Sequence, residues 1–141
     1  MTGVQTCALP ISTLNIAVTS KLQFNGNYTF TQVDEALDRL IPKHKVNAGL
    51  DFQATSRTLF NVNYQYFNAR NDAFFDGNTF GLVTTKLGSY QLVNALAKYE
   101  ILKSRLTVFG AVTNILNEEF VENVGYSTRG RNFKIGLNII L

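Results

Sequence analysis

The chain has 141 residues, a formal net charge of +3 at pH 7 and a mean hydropathy of +0.00. No run approaches the roughly 18 apolar residues that a membrane-spanning helix needs, which excludes helical spans but not spanning strands, since those are apolar on one face only. The charge is modest, and no basic stripe or glycine-flanked aromatic motif points to nucleic acid.

Residues 1–11, MTGVQTCALPI, resemble the translation of a sequencing-library adapter whose last base opens the codon of Ser12. They carry neither a basic n-region nor a continuous apolar h-region, so they do not read as a signal peptide. Segment 1–12 is therefore set apart from segment 13–141, and the protein is expected to extend further upstream. Met1 and Cys7, the only Met and Cys, both fall in the segment set apart.

Six stretches then carry the period-two alternation of a strand with one apolar and one polar face. In 20–31, Leu22, Phe24, Gly26, Tyr28 and Phe30 alternate with Lys21, Gln23, Asn25, Asn27 and Thr29. In 45–54, Val46, Ala48, Leu50 and Phe52 alternate with Asn47, Gly49, Asp51 and Gln53. In 59–68, Phe60, Val62, Tyr64 and Tyr66 oppose Asn61, Asn63 and Gln65. In 90–101, Val93, Ala95, Ala97, Tyr99 and Ile101 share a face against Asn94, Lys98 and Glu100. In 105–113, Leu106, Val108, Gly110 and Val112 oppose Thr107, Phe109 and Thr113. In 129–141, Phe133, Ile135, Leu137, Ile139 and Leu141 alternate with Asn132, Lys134, Gly136 and Asn138. The helix-like spacing of 33–40, VDEALDRL, is stopped by Pro42 and is assigned to a loop.

The connections run long, short, long, short, long. The short ones lie near 55–58 and 102–104, and the long ones at 31–45, 68–89 and 114–128. That rhythm predicts an all-β, antiparallel up-and-down meander of about six strands, with long extracellular loops and short periplasmic turns. The polar faces are mostly Asn, Gln and Thr, whereas a soluble half-buried sheet usually fills its wet face with charge. Tyr28, Phe30, Tyr66 and Tyr90 sit near the long loops, where an aromatic girdle belongs. A soluble lipid-binding β-barrel with its apolar face inward, and a porin- or adhesin-type barrel, remain alternatives on patterning alone.

No catalytic constellation and no paired metal-ligand spacing is present, so neither an enzyme nor a cofactor is expected. His44, between two lysines, reads as a polar loop-to-strand residue. Asp72, Asp76, Glu118 and Glu119 could offer hard oxygens to a cation, with solvated loop charge the simpler reading and no metal expected. In the long loop Asp72, Phe74, Phe75 and Asp76 are candidate substrate contacts, because loops on a rigid scaffold often carry recognition. Gly125 and Gly130 read as hairpin-loop glycines that serve backbone geometry.

At its end the sequence resembles a known family. LTVFGAVTNILNEEF followed by GYSTRGRNFKIGL is similar to the C-terminal end of TonB-dependent outer-membrane receptors. The shared pattern is Asn114, Leu116 and Asn117 followed by Phe120, then Gly125-Tyr126 and Gly130-Arg131 before the last strand. Pro42, His44 and Lys45 resemble the family's entry into an earlier strand, and 89–101 resembles the strand that follows. The terminal residue is Leu141 where the family commonly ends in Phe.

The resemblance covers 14–141 and implies a partial transmembrane β-barrel in the bacterial outer membrane. It implies uptake of a scarce nutrient (an iron-siderophore, haem or cobalamin) by a larger receptor, with this chain not competent alone. It also implies Phe133, Ile135, Leu137, Ile139 and Leu141 as the barrel-closing, assembly-signal strand. The partners implied are outer-membrane lipid, the barrel-assembly machinery, the rest of the barrel and its plug, and TonB through a part not present here.

Overall fold

A computed structural model describes residues 11–33 and 38–140. The described residues form nine strands and no helix: β1 (Ile11–Thr19), β2 (Leu22–Phe30), β3 (His44–Thr55), β4 (Thr58–Phe67), β5 (Arg70–Asp76), β6 (Gly81–Leu87), β7 (Tyr90–Leu102), β8 (Leu106–Thr113) and β9 (Asn132–Ile139). Seven make one antiparallel sheet in the order β1-β2-β3-β4-β7-β8-β9, and β5 pairs with β6.

Register turns the alternation along each strand into a pattern across the sheet. Ile16 faces Phe24, Phe24 faces Leu50, Leu50 faces Val62, Val62 faces Ala95, Ala95 faces Val112, and Val112 faces Phe133. One apolar row thus crosses all seven strands without a polar interruption. Rows on either side add Ala48 and Tyr64 toward the long loops, and Phe52, Phe60 and Ile135 toward the short turns. Ile16, Leu50, Phe52, Phe60, Val62, Phe133 and Ile135 are exposed on this face, reaching 86% at Ile135, and the others are half-buried. An apolar surface of this extent needs a covering medium, and hydrocarbon suits it because the ladder already satisfies the backbone groups of the inner strands. Gln91 is a polar residue on this face near the rim, and the Tyr64 hydroxyl donates to its Oε1 at 3.2 Å.

The opposite face is laced by amides. Asn25 Nδ2 and Asn61 Nδ2 donate to the two oxygens of Asp51 at 3.3 and 2.8 Å, and Asn47 Nδ2 donates to Asn27 Oδ1 at 2.6 Å. Two glycines leave room for neighbours on this face. A Cβ at Gly49 would meet Asn25 Oδ1 at 2.5 Å, and one at Gly136 would run into the Phe109 ring.

The three short turns gather at one end. Thr19 Oγ1 accepts from the Lys21 amide, Thr55 Oγ1 accepts from the Arg57 amide, and the Arg105 amide donates to the Leu102 carbonyl with Ser104 at φ 59°. The turns expected at 55–58 and 102–104 are therefore present. So are the long connections through Pro42 and after Thr113. Residues 34–37 of the helix-like stretch lie outside the described residues. Within its described part Arg39 forms a parallel bridge to Asn71.

Three expectations need correction. The sheet has seven strands, not six, because Leu14, Ile16 and Val18 alternate in β1 beside the segment set apart. Ile11 of that segment pairs with Thr29, and residues 1–10 lie outside the described residues. The connection after β4 is not an open loop, because most of it folds as the β5–β6 hairpin. Tyr90 does not join the outer girdle. Its partner is Phe67, and it lies 5% exposed on the amide face. Tyr28, Phe30 and Tyr66 do keep the outer face, with His44 stacked on Tyr28 and its Nδ1 2.8 Å from the Tyr28 hydroxyl.

The one-sided apolar face makes a sharp prediction. Leu137→Lys places a charge among apolar neighbours and should cost roughly 2–4 kcal/mol near the bilayer midplane. Asn138→Lys, one residue on, points into the amide face and should be mild. Heat-modifiable gel mobility in outer-membrane fractions reads the folded fraction. Equal folded yields would refute the facial assignment.

Candidate functional site

The most buried side chains lie at the end of the sheet that carries the long connections. The β5–β6 hairpin continues β4 and β7: pairing stops at Phe67 and Tyr90 and resumes in the same register at Arg70 and Leu87. Asp76 closes its tip, accepting from the Asn78 amide and the Thr79 hydroxyl, each at 3.0 Å. Those two donors, the amide first, hold its carboxyl below the usual range.

At the hairpin's base two charged residues are almost fully buried, Asp72 at 2% exposure and Arg70 at 7%. Buried charge is costly unless it is paired and hydrogen-bonded; Asp72 is both, whereas Arg70 is held only through Nη2 and its buried Nη1 has no partner among the described residues. Asp72 Oδ2 accepts from the Val124 amide at 2.8 Å, and its Oδ1 accepts from Arg39 Nε at 2.9 Å and from the Ala73 amide at 2.8 Å. One carboxylate thereby ties the β2–β3 connection, the hairpin and the β8–β9 connection together. The Val124 amide first, then Arg39, hold its carboxyl below the ordinary value. Arg70 Nη2 donates to the carbonyls of Val121 and Glu122 at 3.1 and 3.0 Å, and its guanidinium lies over Tyr90 at 5.2 Å. Tyr90 is itself stacked between Phe67 at 4.8 Å and Phe120 at 4.4 Å. Asn71 Nδ2 donates to Asp38 at 2.6 Å, and the Leu40 amide donates to the Asn71 carbonyl at 2.7 Å.

The family-like residues form a second clasp beside the first. Asn114, at φ 52°, donates its amide to Asn94 Oδ1. Its side chain accepts from the Glu118 amide and donates to the carbonyls of Glu118 and Arg129. Asn117, at φ 55°, accepts from the Arg131 amide, and Arg131 Nε donates back to the Ile115 carbonyl. Asparagine tolerates this left-handed backbone better than most residues. A Cβ on Gly130 would stand 2.9 Å from Asn117 Oδ1, and Gly125 has φ 85°. These residues therefore draw the end of β8 and the start of β9 together, while Leu116 and Tyr126 are exposed.

The four candidate substrate contacts are not brought together as one set. Asp72 is enclosed and Asp76 caps the tip. Phe74 and Phe75 face Val83 and Leu82 across the hairpin and remain exposed, Phe75 at 64%. Arg39, Arg70 and Tyr90 were missed as organisers of this end. Nothing short-range marks them, because each acts on a residue distant in sequence. No group of three or more His, Cys, Asp or Glu among the described residues could hold a metal ion.

Residues 11–115 match the family described as TonB dependent receptor-like, beta-barrel. The chain belongs to this family. TonB-dependent receptors of this kind sit in the bacterial outer membrane, where barrel strands generally turn apolar residues to lipid and long loops to the outside. An iron-regulated outer membrane virulence protein of Vibrio cholerae is 26% identical over 144 residues, covering 91% of this chain and 20% of that protein. The ferripyoverdine receptor of Pseudomonas aeruginosa, bound to ferripyoverdine, shares the fold with a TM-score of 0.74 at 13% identity, over 90% of this chain and 18% of that one. The ferric enterobactin receptor of the same organism does so with a TM-score of 0.72 at 16% identity, over 94% and 22%. The chain thus spans about a fifth of the length of these TonB-dependent receptors and relatives.

Two variants test the clasps. Asn114→Ala strips three side-chain bonds from partly buried backbone groups, a loss on the order of 1–3 kcal/mol. It should lower the denaturant midpoint of the folded, heat-modifiable form. Asp72 has a depressed carboxyl, so its stabilising effect is fully present above the unfolded value near 3.8 and fades as pH falls through the lower folded value. The loops should therefore stay tied at neutral and mildly acidic pH. Asp72→Asn should loosen them at every pH, with faster hydrogen exchange at the Val124 and Ala73 amides. Unchanged exchange would remove Asp72 from its organising role.

Proposed function

We propose that this chain is the C-terminal part of a longer outer-membrane receptor that takes up a scarce nutrient by energy coupling through TonB. An iron-siderophore is the first choice over haem or cobalamin. Family membership over residues 11–115 is the observation that carries the reading. The names of its relatives, iron-regulated in one case and ferric-siderophore receptors in the others, support the choice of nutrient. The tied extracellular loops support it too, since recognition needs preorganised surface. In this reading Phe74 and Phe75 present apolar surface to the substrate. Phe133, Ile135, Leu137 and Ile139 belong to the strand that closes the barrel and engages the assembly machinery. Leu141, proposed to end that strand, lies outside the described residues. The rest of the barrel and a plug complete the transporter, and the chain alone does not transport. A porin- or adhesin-type barrel is the competing reading.

Uptake of radio-iron from a ferric chelate separates the two. Cells with the receptor should accumulate iron only when TonB is present, and a proton uncoupler should stop accumulation. Uptake that persists without TonB and ignores the uncoupler would favour the porin-type reading.

A further inference from the structure

Three neighbouring strand pairs reverse in short turns: β1–β2 at Ser20 and Lys21, β3–β4 at Ser56 and Arg57, and β7–β8 at Lys103 to Arg105. Each turn holds a serine followed directly by a cation: Ser20-Lys21, Ser56-Arg57 and Ser104-Arg105. The third turn adds Lys103 in front. All of these residues are exposed. Closing the turns does not use their side chains. The Thr19 and Thr55 hydroxyls and the Leu102 carbonyl accept the turn bonds, and they take only backbone amides of Lys21, Arg57 and Arg105. Each turn lies two strands from the next, so the three pairs of hydroxyl and cation recur roughly every 10 Å along this end of the sheet.

No acid among the described residues balances these charges. None of the four cations has a carboxylate within ion-pair distance among the described residues. Glu100, the acid nearest to the third turn along the chain, borders a hollow on the amide face with Arg57 and Lys98. Asp34 and Glu35 belong by sequence to the β2–β3 connection, which joins strands at the other end. A carboxylate one residue past Ile140 would still leave this end with surplus positive charge.

What the cations border decides their partner. Leu22 follows Lys21, and Leu102 and Leu106 flank the stretch from Lys103 to Arg105. Leu106 pairs with Leu102 on one side and Ile139 on the other, and Tyr99 faces Thr58 beside Arg57. Tyr99, Leu102 and Ile139 are exposed on the apolar face. The apolar wall therefore runs up to the turns with no polar spacer. A phospholipid matches both parts, with acyl chains for the wall and a phosphate for the cations and hydroxyls. A soluble polyanion would match the charges and leave the wall uncovered.

We infer that the short-turn end binds anionic phospholipid headgroups of the leaflet it borders, with Lys103, Ser104 and Arg105 as the principal contact. There two cations bracket one hydroxyl beside the exposed Leu102. A zwitterionic headgroup brings its own cation and gains less from the turn. The inference rests on the outer-membrane placement and not on the uptake reading, so its failure leaves that reading untouched.

The test uses the intact receptor carrying this chain, reconstituted in mixed bilayers. Leu102→Trp places an indole beside the third turn, and the emission difference between receptors with and without it isolates that position. Lipids brominated on their acyl chains quench indole on contact. Brominated phosphatidylglycerol in ordinary phosphatidylcholine is compared with the reverse mixture. Phosphatidylglycerol should be preferred at this position by about threefold or more at low salt, and by less as salt rises. Adding Lys103→Gln and Arg105→Gln should bring the preference close to one, whereas Lys103→Arg should keep it. Heat-modifiable mobility equal to that of the parent shows that each variant is folded. A preference near one in the parent would overturn the inference and leave the turns to a soluble anionic partner. An unchanged preference in the folded glutamine pair would overturn it as well.

Discussion

Everything in this chain depends on keeping one register across seven strands. A shift of one residue in any pair moves that strand's whole apolar set to the other face. The row from Ile16 to Phe133 exists only because six successive pairings agree. Turn chemistry at the short end helps set that agreement, where Thr19, Thr55 and Ser104 shape compact reversals. The amide face adds a second constraint. A slipped pair would separate Asn25 and Asn61 from Asp51, and Phe109 from the space that Gly136 leaves open.

The distribution of burial inverts that of a water-soluble domain. Buried apolar side chains among the described residues are limited to Leu87 and Tyr90, and both lie where the long connections meet. The sheet stabilises itself through its ladder and through what covers its faces, so its apolar residues contribute fully only in lipid. The loops work the other way. They have no bilayer to lean on, and they hold together through charge and backbone bonds around Asp72 and Arg70. Stability of the sheet and order of the loops thus come from different forces, which leaves the loop surface free to vary without disturbing the wall beneath it.

Much of the sheet was legible in the sequence because alternation is a local signal. Leu22 to Phe30, Val46 to Phe52 and Phe133 to Ile139 each state their face within one strand. β1 carried the same signal in Leu14, Ile16 and Val18 but adjoined a segment set aside. The hairpin was harder. Phe74 and Phe75 are adjacent, and the run on each side is short, although Asp76-Gly77 between apolar stretches is a turn signal. Tyr90 was placed on the wrong face because it was grouped by position along the chain rather than by parity with Asn94. The loop site was least legible. Asp72 and Val124 are far apart in sequence, and a lone Asp in a polar loop looks the same whether it is solvated or holds several segments. The asparagines of the terminal motif were recognised by resemblance, and their physical role emerged only from the bonds that Asn114 and Asn117 make.

The shared register of the barrel wall and the hairpin has a mechanical consequence. Because β5 and β6 resume the pairing of β4 and β7, the hairpin is a stiff lever and not a tether. Its seven-residue arms carry the tip roughly 20 Å beyond the break at Asn68 and Ala69. A load applied at Phe75 or Phe80 is carried down two hydrogen-bonded rails to that break. There Arg39 and Val124, both gripping Asp72, act as stays on either side. Displacement of the tip therefore pulls on both neighbouring loops at once, so a touch at one point is shared by three segments of the rim.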